Sequence, residues 1–422
     1  MEINDLYTTS YRLVSQVSTK YKRSLYNHLP WDTRMICIKG ARGVGKTTLL
    51  LQRIAEAFPQ GDSRVLYASL DDLWFTQNRL IDLAEYHYTH GGTHLFLDEV
   101  HRYPHDNWVQ ELKNIYDRYP GFSIVFTGSS VLEIDQSQAD LSRRCLFFTM
   151  KGLSFREYLC FSHGCELNPV TLEQILGNHV QLALSITKQT HVLQYFNEYL
   201  RHGYYPFYHE LQQGYEMALR QMVTNVVEQD IPHAQAIEPI TNARIKRLVT
   251  LIASVTPFTV NVKRIAELLD CDRQMVHKLL HLAQRASLLN LLYKGRNNIQ
   301  QLVKPEKVYL ENTNLMFALS SNVEAGTVRE TFFANQLSEH ELSFGGAGDF
   351  LIDNTHTVEV GGRRKNFNQI KDLSQSYLAI DDIEIGSGNR IPLRRPLFQG
   401  GLGVLSPCPE MPLHRGIKSA SS

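Results

Sequence analysis

The sequence has no apolar run that approaches the length needed to cross a membrane, and it has no excess of charge of either sign. Lysine plus arginine and aspartate plus glutamate number 43 each, so no overall field draws the chain to nucleic acid or to a membrane surface. Its first residues contain no basic segment followed by an apolar one, as a secretory signal would. We therefore predict a cytoplasmic protein that does not associate with membranes.

Cysteine is also scarce. The six cysteines are scattered along the chain, and none lies in a C-x-x-C arrangement. Cys160 and Cys165 are the closest pair, but no second pair stands at the spacing of a zinc site. We predict free thiols in a reducing compartment. The 422 residues, of which 43% are hydrophobic, are enough for two or three domains with packed cores.

One glycine-rich motif organises the chain. The pattern G-x-x-x-x-G-K-[ST] is matched in full from Gly40 to Thr47, between an apolar run at 35–38 and a second one at 49–51. Its glycines allow successive backbone N–H groups to point inward at phosphate oxygens, and the helix that follows adds its positive end. The predicted nucleotide-binding residues are Gly40, Ala41, Arg42, Gly43, Val44, Gly45, Lys46, Thr47 and Thr48.

Two side chains of this motif have predicted chemical roles. The Lys46 ammonium is expected to reach the β- and γ-phosphates, and the Thr47 hydroxyl is expected to bind Mg²⁺, which prefers oxygen ligands. The N-K-x-D motif, which recognises guanine, does not occur after the acidic residues at 98–99. This favours adenine over guanine, so the predicted ligand and cofactor are ATP and Mg²⁺.

Strand and helix patterns alternate through the first third of the chain. Strands are expected at 64–70, 94–99 and 123–130, with helices near 80–87 and 107–118. Such alternation predicts an α/β fold with a mostly parallel sheet, whose ligands gather at the carboxyl ends of the strands. Asp98 and Glu99 end one of these strands, so both acids are expected near the phosphates.

This order of elements resembles P-loop ATPases of the ASCE division, which insert a strand between the P-loop helix and the acidic strand. The resemblance makes residues 95–99 a Walker B motif. It implies that Asp98 orients Mg²⁺ and that Glu99 polarises the attacking water as a general base. It also implies a polar sensor at the end of the next strand, either Thr127 or Ser129.

An arginine pair, Arg143 and Arg144, follows this region. By the same resemblance, Arg144 is implied to be a catalytic arginine that reaches a phosphate of its own chain or of a neighbour in a homo-oligomer. The alternative is a surface pair that caps the preceding helix.

Two further segments make the resemblance specific. The sequence GLSFREY at 152–158 and the Tyr-Pro turn at 199–206 resemble prokaryotic AAA+-like ATPases that carry a winged helix and a C-terminal restriction-endonuclease-like domain. The implied fold class is α/β, a P-loop NTPase parallel sheet with a helical lid, a winged-helix domain and a small α+β nuclease-like domain. The predicted domains are a P-loop ATPase core at 1–150, a lid at 151–240, a winged helix at 241–322 and the nuclease-like domain at 323–393.

The C-terminal domain resembles the PD-(D/E)XK nuclease core, in which acids on facing strands bind Mg²⁺. Glu330, Asp349 and Glu359 match the acids, but position 361 is Gly where that core carries a lysine. Arg363 and Lys365, which lie farther along the chain, are the two candidates to replace that lysine. Two alternatives stay open, an active nuclease and a domain retained for binding or assembly. Residues 394–422 are rich in Pro, Gly and Ser without periodicity, so we predict a disordered tail, with a frame error as the alternative.

Three functions follow from these patterns. The first is an ATPase that couples hydrolysis to movement of its C-terminal domains. The second is a nucleotide-switched protein with little turnover that binds DNA or a protein partner through the winged helix and the C-terminal domain. The third is metal-dependent DNA cleavage. In the second case four residues of a helix–turn–helix pattern are expected to face the major groove of DNA: Arg273, Gln274, His277 and Lys278. Lys294 and Arg296 of the following hairpin are expected to contact phosphate.

Overall fold

The computed structural model describes residues 2–105, 107–128, 141, 143–188, 192–235, 237–254, 258–259, 261–295, 304–394 and 403–404. In the first part of the chain, helices and strands alternate as the sequence predicts. They are α1 (Ile3–Gln16), β1 (Met35–Lys39), α2 (Lys46–Ala57), β2 (Val65–Ser69), α3 (Leu80–Thr89), β3 (His94–Asp98), α4 (Trp108–Arg118), β4 (Ser123–Gly128) and β5 (Leu146–Thr149).

These five strands form one parallel sheet in the order β5-β1-β4-β3-β2. A two-residue strand, β14 (Gly403–Val404), pairs antiparallel with β5 at one edge. The predicted parallel α/β sheet is thus confirmed. Because the strands are parallel, the residues that follow β1, β3 and β4 all lie at the same edge.

Both faces of the sheet are covered. Met35 and Cys37 of β1 point into one apolar cluster, whereas Ile36 and Ile38 point into another. Successive side chains of a strand face opposite ways, so this alternation places one core on each side of the sheet. A strand buried on both faces explains the continuous apolar run before the glycine-rich motif.

A mostly helical region follows the sheet. Its helices are α5 (Phe155–His163), α6 (Leu172–Thr187), α7 (Val192–Glu198), α8 (Tyr215–Asn225) and α9 (Ile231–Ala234), with π-helical turns at Tyr199–Gly203 and Val226–Asp230. Next come α10 (Pro239–Ser254), α11 (Val262–Leu269), α12 (Arg273–Arg285) and α13 (Thr313–Leu319). A three-stranded antiparallel sheet in the order β6-β8-β7 accompanies them, with β6 (Phe258–Thr259), β7 (Leu289–Leu292) and β8 (Lys307–Leu310).

The assignment of this helix and sheet set as a winged helix stays a prediction. Arg273 and Lys278 of α12 are both exposed on the surface. Arg296, which the sequence suggests as a phosphate contact in the hairpin, lies outside the described residues.

One buried side chain ties the two helical groups together. The Asn314 amide of α13 accepts hydrogen bonds from the Tyr204 backbone N–H (2.9 Å) and the Tyr215 hydroxyl (2.7 Å). Its NH₂ group donates to the backbone carbonyls of Tyr199 (3.0 Å) and Leu200 (2.9 Å). Two donated and two accepted bonds use the full hydrogen-bonding capacity of an amide side chain. Residues 199–215 and α13 therefore form one packed unit.

The C-terminal domain is one helix on a five-stranded sheet. Helix α14 (Ala325–Gln336) precedes β9 (Leu342–Ser343), β10 (Phe350–Ile352), β11 (His356–Gly361), β12 (Ser376–Ile380) and β13 (Arg390–Pro392). The strand order is β13-β12-β11-β10-β9, antiparallel from β9 to β11 and parallel from β11 to β13.

The chain after this domain differs in part from the predicted tail at 394–422. Arg394 is buried and forms ion pairs with Asp381 and Asp382. Residues 403–404 form β14, and the remaining residues of that segment lie outside the described part of the chain. Within the described segments, no helix is both long enough and apolar enough to span a bilayer.

Candidate functional site

The glycine-rich motif forms the loop between β1 and α2, at the carboxyl edge of the sheet. Gly45 caps α2 with a φ of 99°, in the left-handed region that strongly favours glycine. A Cβ added at Gly40 would lie 2.2 Å from the backbone oxygen of Met150, so the chain passes too close for any side chain there. The loop therefore presents bare backbone in front of a helix N-terminus, which suits a phosphate group.

Lys46 lies inside this loop. Its ammonium donates hydrogen bonds to the carbonyls of Gly40 (3.0 Å) and Ala41 (2.9 Å). Burial lowers the pKa of Lys46, while Glu99 and Asp98 act in the opposite direction. A buried cation whose present partners are neutral carbonyls is well placed to receive an anionic ligand.

Asp98 is the centre of the polar contacts at this edge. One of its carboxylate oxygens accepts hydrogen bonds from the hydroxyls of Thr47 (2.5 Å) and Tyr67 (3.1 Å), and the other accepts one from the Thr127 hydroxyl. From the sequence, Thr47 and Asp98 are both predicted ligands of one Mg²⁺ ion. In the structure their oxygens are hydrogen-bonded to each other, and hard oxygen donors of this kind fit Mg²⁺.

Glu99 follows Asp98 in an unusual backbone conformation. Its φ of 54° is left-handed, and its backbone N–H donates to the Thr127 hydroxyl (3.2 Å). Left-handed backbone in a non-glycine residue is uncommon and is often held in place at functional sites. Thr127 thus connects Asp98 and Glu99. Ser129, the other predicted sensor, lies outside the described residues.

His101 faces the Glu99 side chain. Its Nε2 lies 3.4 Å from a Glu99 carboxylate oxygen. Burial, together with the charges of Arg102 and Lys46, lowers the pKa of His101 to about 2. The imidazole is therefore neutral at physiological pH. It can orient the Glu99 carboxylate without forming an ion pair that would neutralise its negative charge.

Arg144 lies elsewhere. Its guanidinium pairs with the exposed Asp117, with Nε to Oδ1 at 3.0 Å and Nη2 to Oδ2 at 2.9 Å. It precedes β5, and Leu146 pairs with Ile36 near the start of β1. Arg144 is thus at the amino edge of the sheet, away from the loop that follows β1. Within its own chain, the structure does not bring Arg144 together with the other predicted site residues.

A buried ion pair fixes the loop from behind. The Arg23 guanidinium pairs with Glu157 and donates to the carbonyls of Val44 (2.8 Å), Lys151 (2.8 Å) and Gly152 (2.9 Å). Val44 belongs to the phosphate loop, and Glu157 belongs to the GLSFREY segment. This segment is therefore needed to hold the loop backbone in place.

The same segment begins helix α5 with a capping box. The Ser154 hydroxyl accepts a hydrogen bond from the backbone N–H of Glu157 (3.2 Å), and Glu157 accepts from the backbone N–H of Ser154 (3.1 Å). The carboxylate also accepts from the Ser24 backbone N–H (2.8 Å). Burial opposes ionisation of Glu157, but Arg23 and these donors outweigh it, so the pKa of Glu157 is lowered.

Sequence reasoning missed one group of charged residues at this edge. Asp230, in the π-helical turn before α9, is buried and pairs with Arg102 (Oδ1 to Nη2, 2.7 Å). Arg42 of the phosphate loop lies 4.0 Å from the same oxygen. The only signal in the sequence is an acid among the apolar residues Val226, Val227 and Ile231, which is also typical of a helix end.

A second cluster forms in the C-terminal domain from the predicted nuclease-like acids. The ammonium of Lys307, on β8, lies 3.1 Å from a Glu330 oxygen and 2.8 Å from an Asp349 oxygen. Glu330 also accepts from the Tyr309 hydroxyl (2.7 Å), and Asp349 accepts from the Val360 backbone N–H (2.8 Å). Burial raises the pKa of Glu330, aided by Asp349 and opposed by Lys307.

Glu359 and Lys365 complete this cluster as an ion pair. Burial raises the pKa of Glu359, and Lys365 opposes that shift. In the part of the chain that the structure describes, no three His, Cys, Asp or Glu side chains are arranged to hold a metal ion. Among the described residues, Lys307 thus pairs with both Glu330 and Asp349, and Lys365 pairs with Glu359.

Two family models match parts of this chain. Residues 32–159 match the model of an AAA domain, and residues 193–325 match that of a domain of unknown function, DUF8612. The first match spans all five parallel strands and the loop that carries Lys46. The sheet, the loop and this match together support an AAA-type ATPase domain at residues 32–159.

Whole-chain comparisons give more distant similarities. The chain is 25% identical over 384 residues to "Uncharacterized protein MJ1637" of Methanocaldococcus jannaschii, which covers 83% of this chain and 80% of that protein. Similar solved structures include AMPPCP-bound DnaA from Aquifex aeolicus, at 17% identity and a TM-score of 0.26, covering 66% of this chain and 88% of that one. RuvB from Thermotoga maritima has 12% identity and a TM-score of 0.25, with coverages of 68% and 89%.

Proposed function

We propose that this chain, whose residues 32–159 match an AAA domain, is an ATPase that hydrolyses ATP to ADP and phosphate with Mg²⁺. One observation carries the proposal. Side chains from three neighbouring elements of one sheet edge, Thr47, Asp98 and Thr127, are joined by hydrogen bonds beside the buried Lys46. Such an edge holds phosphate, metal and a water-activating acid within reach of one another.

Each residue has a separate task in this proposal. The backbone of the loop and the N-terminus of α2 bind the phosphates, and the Lys46 ammonium leaves its two carbonyl partners to pair with them. Thr47 and Asp98 would hold Mg²⁺, directly or through water. When bound, the ion neutralises charge that develops on the phosphate oxygens.

Glu99 is the proposed general base. Its backbone is fixed by Thr127 and its carboxylate is oriented by the neutral His101. An acceptor held in this way can take the proton of a water that attacks the γ-phosphate in line. Because the chemistry depends on positioning and charge, small displacements of Glu99 are expected to slow turnover strongly.

Phosphate release from purified protein tests this function. Lys46→Ala should abolish nucleotide binding, whereas Glu99→Gln should bind ATP and fail to turn it over. Glu99→Gln that hydrolyses ATP at the parent rate would remove Glu99 from the mechanism. Measuring with and without duplex DNA separates a DNA-directed ATPase, which DNA stimulates, from a nucleotide-switched binding protein, whose slow turnover ignores DNA.

Contacts between the P-loop domain and the following helices support coupling to conformational change. The Phe207 ring lies 2.8 Å from the position of a Cβ built on Gly43. Lys151 also pairs with Glu311, just before α13, at 2.8 Å. A ligand that moves the loop would therefore push on both helical groups. The partner that receives this movement, DNA or protein, stays a prediction.

For the C-terminal domain we propose binding or assembly rather than cleavage. The observation that favours this role is the position of the Lys307 ammonium between Glu330 and Asp349. In a nuclease of this type, a metal ion would lie between these two acids. A plasmid-nicking assay with Mg²⁺ or Mn²⁺, with Asp349→Ala beside the parent, tests it. We expect no cleavage that depends on Asp349. Nicking by the parent that is lost in Asp349→Ala would establish a nuclease instead.

A further inference from the structure

A carboxylate from the helical region lies among the cations of the phosphate site. Asp230 is 4% exposed, and its Oδ1 is 2.7 Å from Arg102 Nη2 and 4.0 Å from Arg42 Nη1. The Arg42 Nη1 atom is buried and has no hydrogen-bond partner in the described residues, and the same is true of the second Asp230 oxygen, Oδ2. Buried polar atoms are nearly always paired, so the Arg42 Nη1 donor has unused capacity for an anionic ligand.

The two arginines come from the loops that border the phosphate cradle. Arg42 lies in the phosphate loop, and Arg102 is the third residue after Glu99, at the end of the 3₁₀ turn Val100–Arg102. The charge of Asp230 also acts on Lys46, the residue expected to contact the γ-phosphate. Asp230 is therefore close to Arg42 and Arg102 and within electrostatic range of Lys46. Unlike Asp98 and Glu99, it comes from the helical region and not from a strand end of the sheet.

A phosphate group is a natural competitor for such an arginine. A guanidinium presents paired N–H donors that suit a carboxylate and a phosphate equally well, and a phosphate brings more charge and more acceptor oxygens. ADP ends at the β-phosphate, so ATP alone of the two nucleotides supplies a group at the position of the γ-phosphate.

We propose that Asp230 and the γ-phosphate of ATP compete for Arg102. When ATP binds, Arg102 pairs with the γ-phosphate and its ion pair with Asp230 breaks, which changes the contacts of the helices that follow Asp230. This inference rests on the ATPase proposed above and adds two residues to it. Arg102 acts in the role that the sequence suggests for Arg144. Asp230 is a positioning residue, since it acts through Arg102.

The competition predicts a change in the preference for ATP over ADP. Breaking the Arg102–Asp230 pair costs free energy that ATP binding must supply and ADP binding does not. Asp230→Asn removes most of that cost, so ATP affinity should rise relative to ADP affinity by about ten-fold, the value of one charge-assisted hydrogen bond. Arg102→Gln should lower the same ratio by about ten-fold. A purely structural ion pair would shift both affinities together.

Equilibrium titration with ATP and ADP in the presence of Mg²⁺ measures this ratio. Every protein carries Glu99→Gln, which prevents turnover during the titration. Glu228→Gln is the matched control, because Glu228 lies on the same π-helical turn, is exposed and pairs with Lys246. It should leave the ratio unchanged. Because Arg102→Gln leaves a buried acid unpaired, the double variant Asp230→Asn/Arg102→Gln keeps the test valid if the single variant fails to fold.

The outcomes separate the two proposals. A ratio that rises in Asp230→Asn and falls again in the double variant supports the competition. Equal changes for ATP and ADP, or no change, overturn it and leave the ATPase intact. If the Glu99→Gln protein binds neither nucleotide, the proposed function and this inference are both wrong.

Discussion

The Arg23 guanidinium and the Glu157 carboxylate form a bidentate pair, with Nε to Oε1 and Nη2 to Oε2 both at 3.1 Å. Both side chains are buried, and the same guanidinium also reaches the phosphate loop at the Val44 carbonyl. A paired, fully hydrogen-bonded charge is tolerated in a protein interior, whereas a single one is costly.

Removing one member of this pair should therefore destabilise the protein strongly. We expect Glu157→Gln to lower the free energy of unfolding by about 3–5 kcal/mol, because Arg23 keeps its buried charge without a counterion. Urea denaturation measures the change. Glu216→Gln removes the acid of the exposed pair with Arg220 and should cost less than about 1 kcal/mol. Equal losses in both variants would contradict the role given to burial.

The same pair predicts a dependence on acid. The pKa of Glu157 is lowered in the folded protein from its usual 4.5. Its stabilising contribution is therefore fully present above that value and is lost as the pH falls through the lower folded pKa. Urea midpoints between pH 5 and pH 3 should fall more steeply for the parent than for Glu157→Gln. Parallel curves would show that Glu157 does not contribute to acid unfolding.

His101 acts in a different pH range. Its folded pKa of about 2 is below the usual 6.5, so the unfolded chain binds a proton between these values that the folded chain does not. Stability should consequently decrease as the pH falls below about 6.5, by up to about 1.4 kcal/mol per pH unit from this residue. His101→Gln should flatten that slope, and His28→Gln, at an exposed histidine, should not. A slope unchanged in His101→Gln would refute the neutral, buried imidazole.

The close approach at Gly40 gives a test of the phosphate loop. We expect Gly40→Ala to cost about 1–3 kcal/mol of stability and to weaken ATP binding, because its Cβ would meet the backbone of Met150 rather than a movable side chain. Gly121→Ala is the control, since nothing lies within 4 Å of a Cβ there and its φ is not positive. Thermal unfolding and ATP titration of both variants provide the comparison.

Thr127 should affect turnover more than binding. Thr127→Val keeps the shape of the side chain but removes the hydroxyl that connects Asp98 to the Glu99 backbone. We expect kcat to fall by roughly 10²-fold through misplacement of Glu99, with little change in ATP affinity. Thr127→Ser, which restores the hydroxyl, should recover most of the rate. Phosphate release at saturating ATP decides between these outcomes.

The positive charge of Lys307 is expected to stabilise the C-terminal domain, because it pairs with both Glu330 and Asp349. In Lys307→Met, Glu330 and Asp349 lose their shared counterion, so we expect a loss of about 3 kcal/mol. Millimolar Mg²⁺ or Mn²⁺ should restore part of that loss in the variant and leave the parent unchanged. A variant that stays as stable as the parent in EDTA would show that these acids need no neutralising cation.

Much of the nucleotide domain was predictable because its signals are local. The apolar run of β1 and the glycines after it specify a strand, a turn and a helix from neighbouring residues alone, and the structure confirms them. The position of Asp98 and Glu99 beside the phosphate loop was also predictable, because parallel strands end at the same edge of a sheet.

The contacts that could not be predicted join residues far apart in the chain. Asp230 resembles an ordinary helix end until the fold brings it to Arg42 and Arg102. Lys307 likewise lies on a strand assigned to a different domain from the acids that it neutralises. Neither pairing leaves a periodic or compositional pattern, because each depends on how separate elements pack.

The four hydrogen bonds of the buried Asn314 amide have a consequence for the descent of this protein. They join the backbone and side chains of residues 199–215 to α13, on the other side of the boundary predicted at 240. Exchange of genetic material between relatives at that boundary would separate Asn314 from the four groups to which it is hydrogen-bonded. The two helical groups should therefore be inherited together, and swaps between homologues should succeed only when they include both.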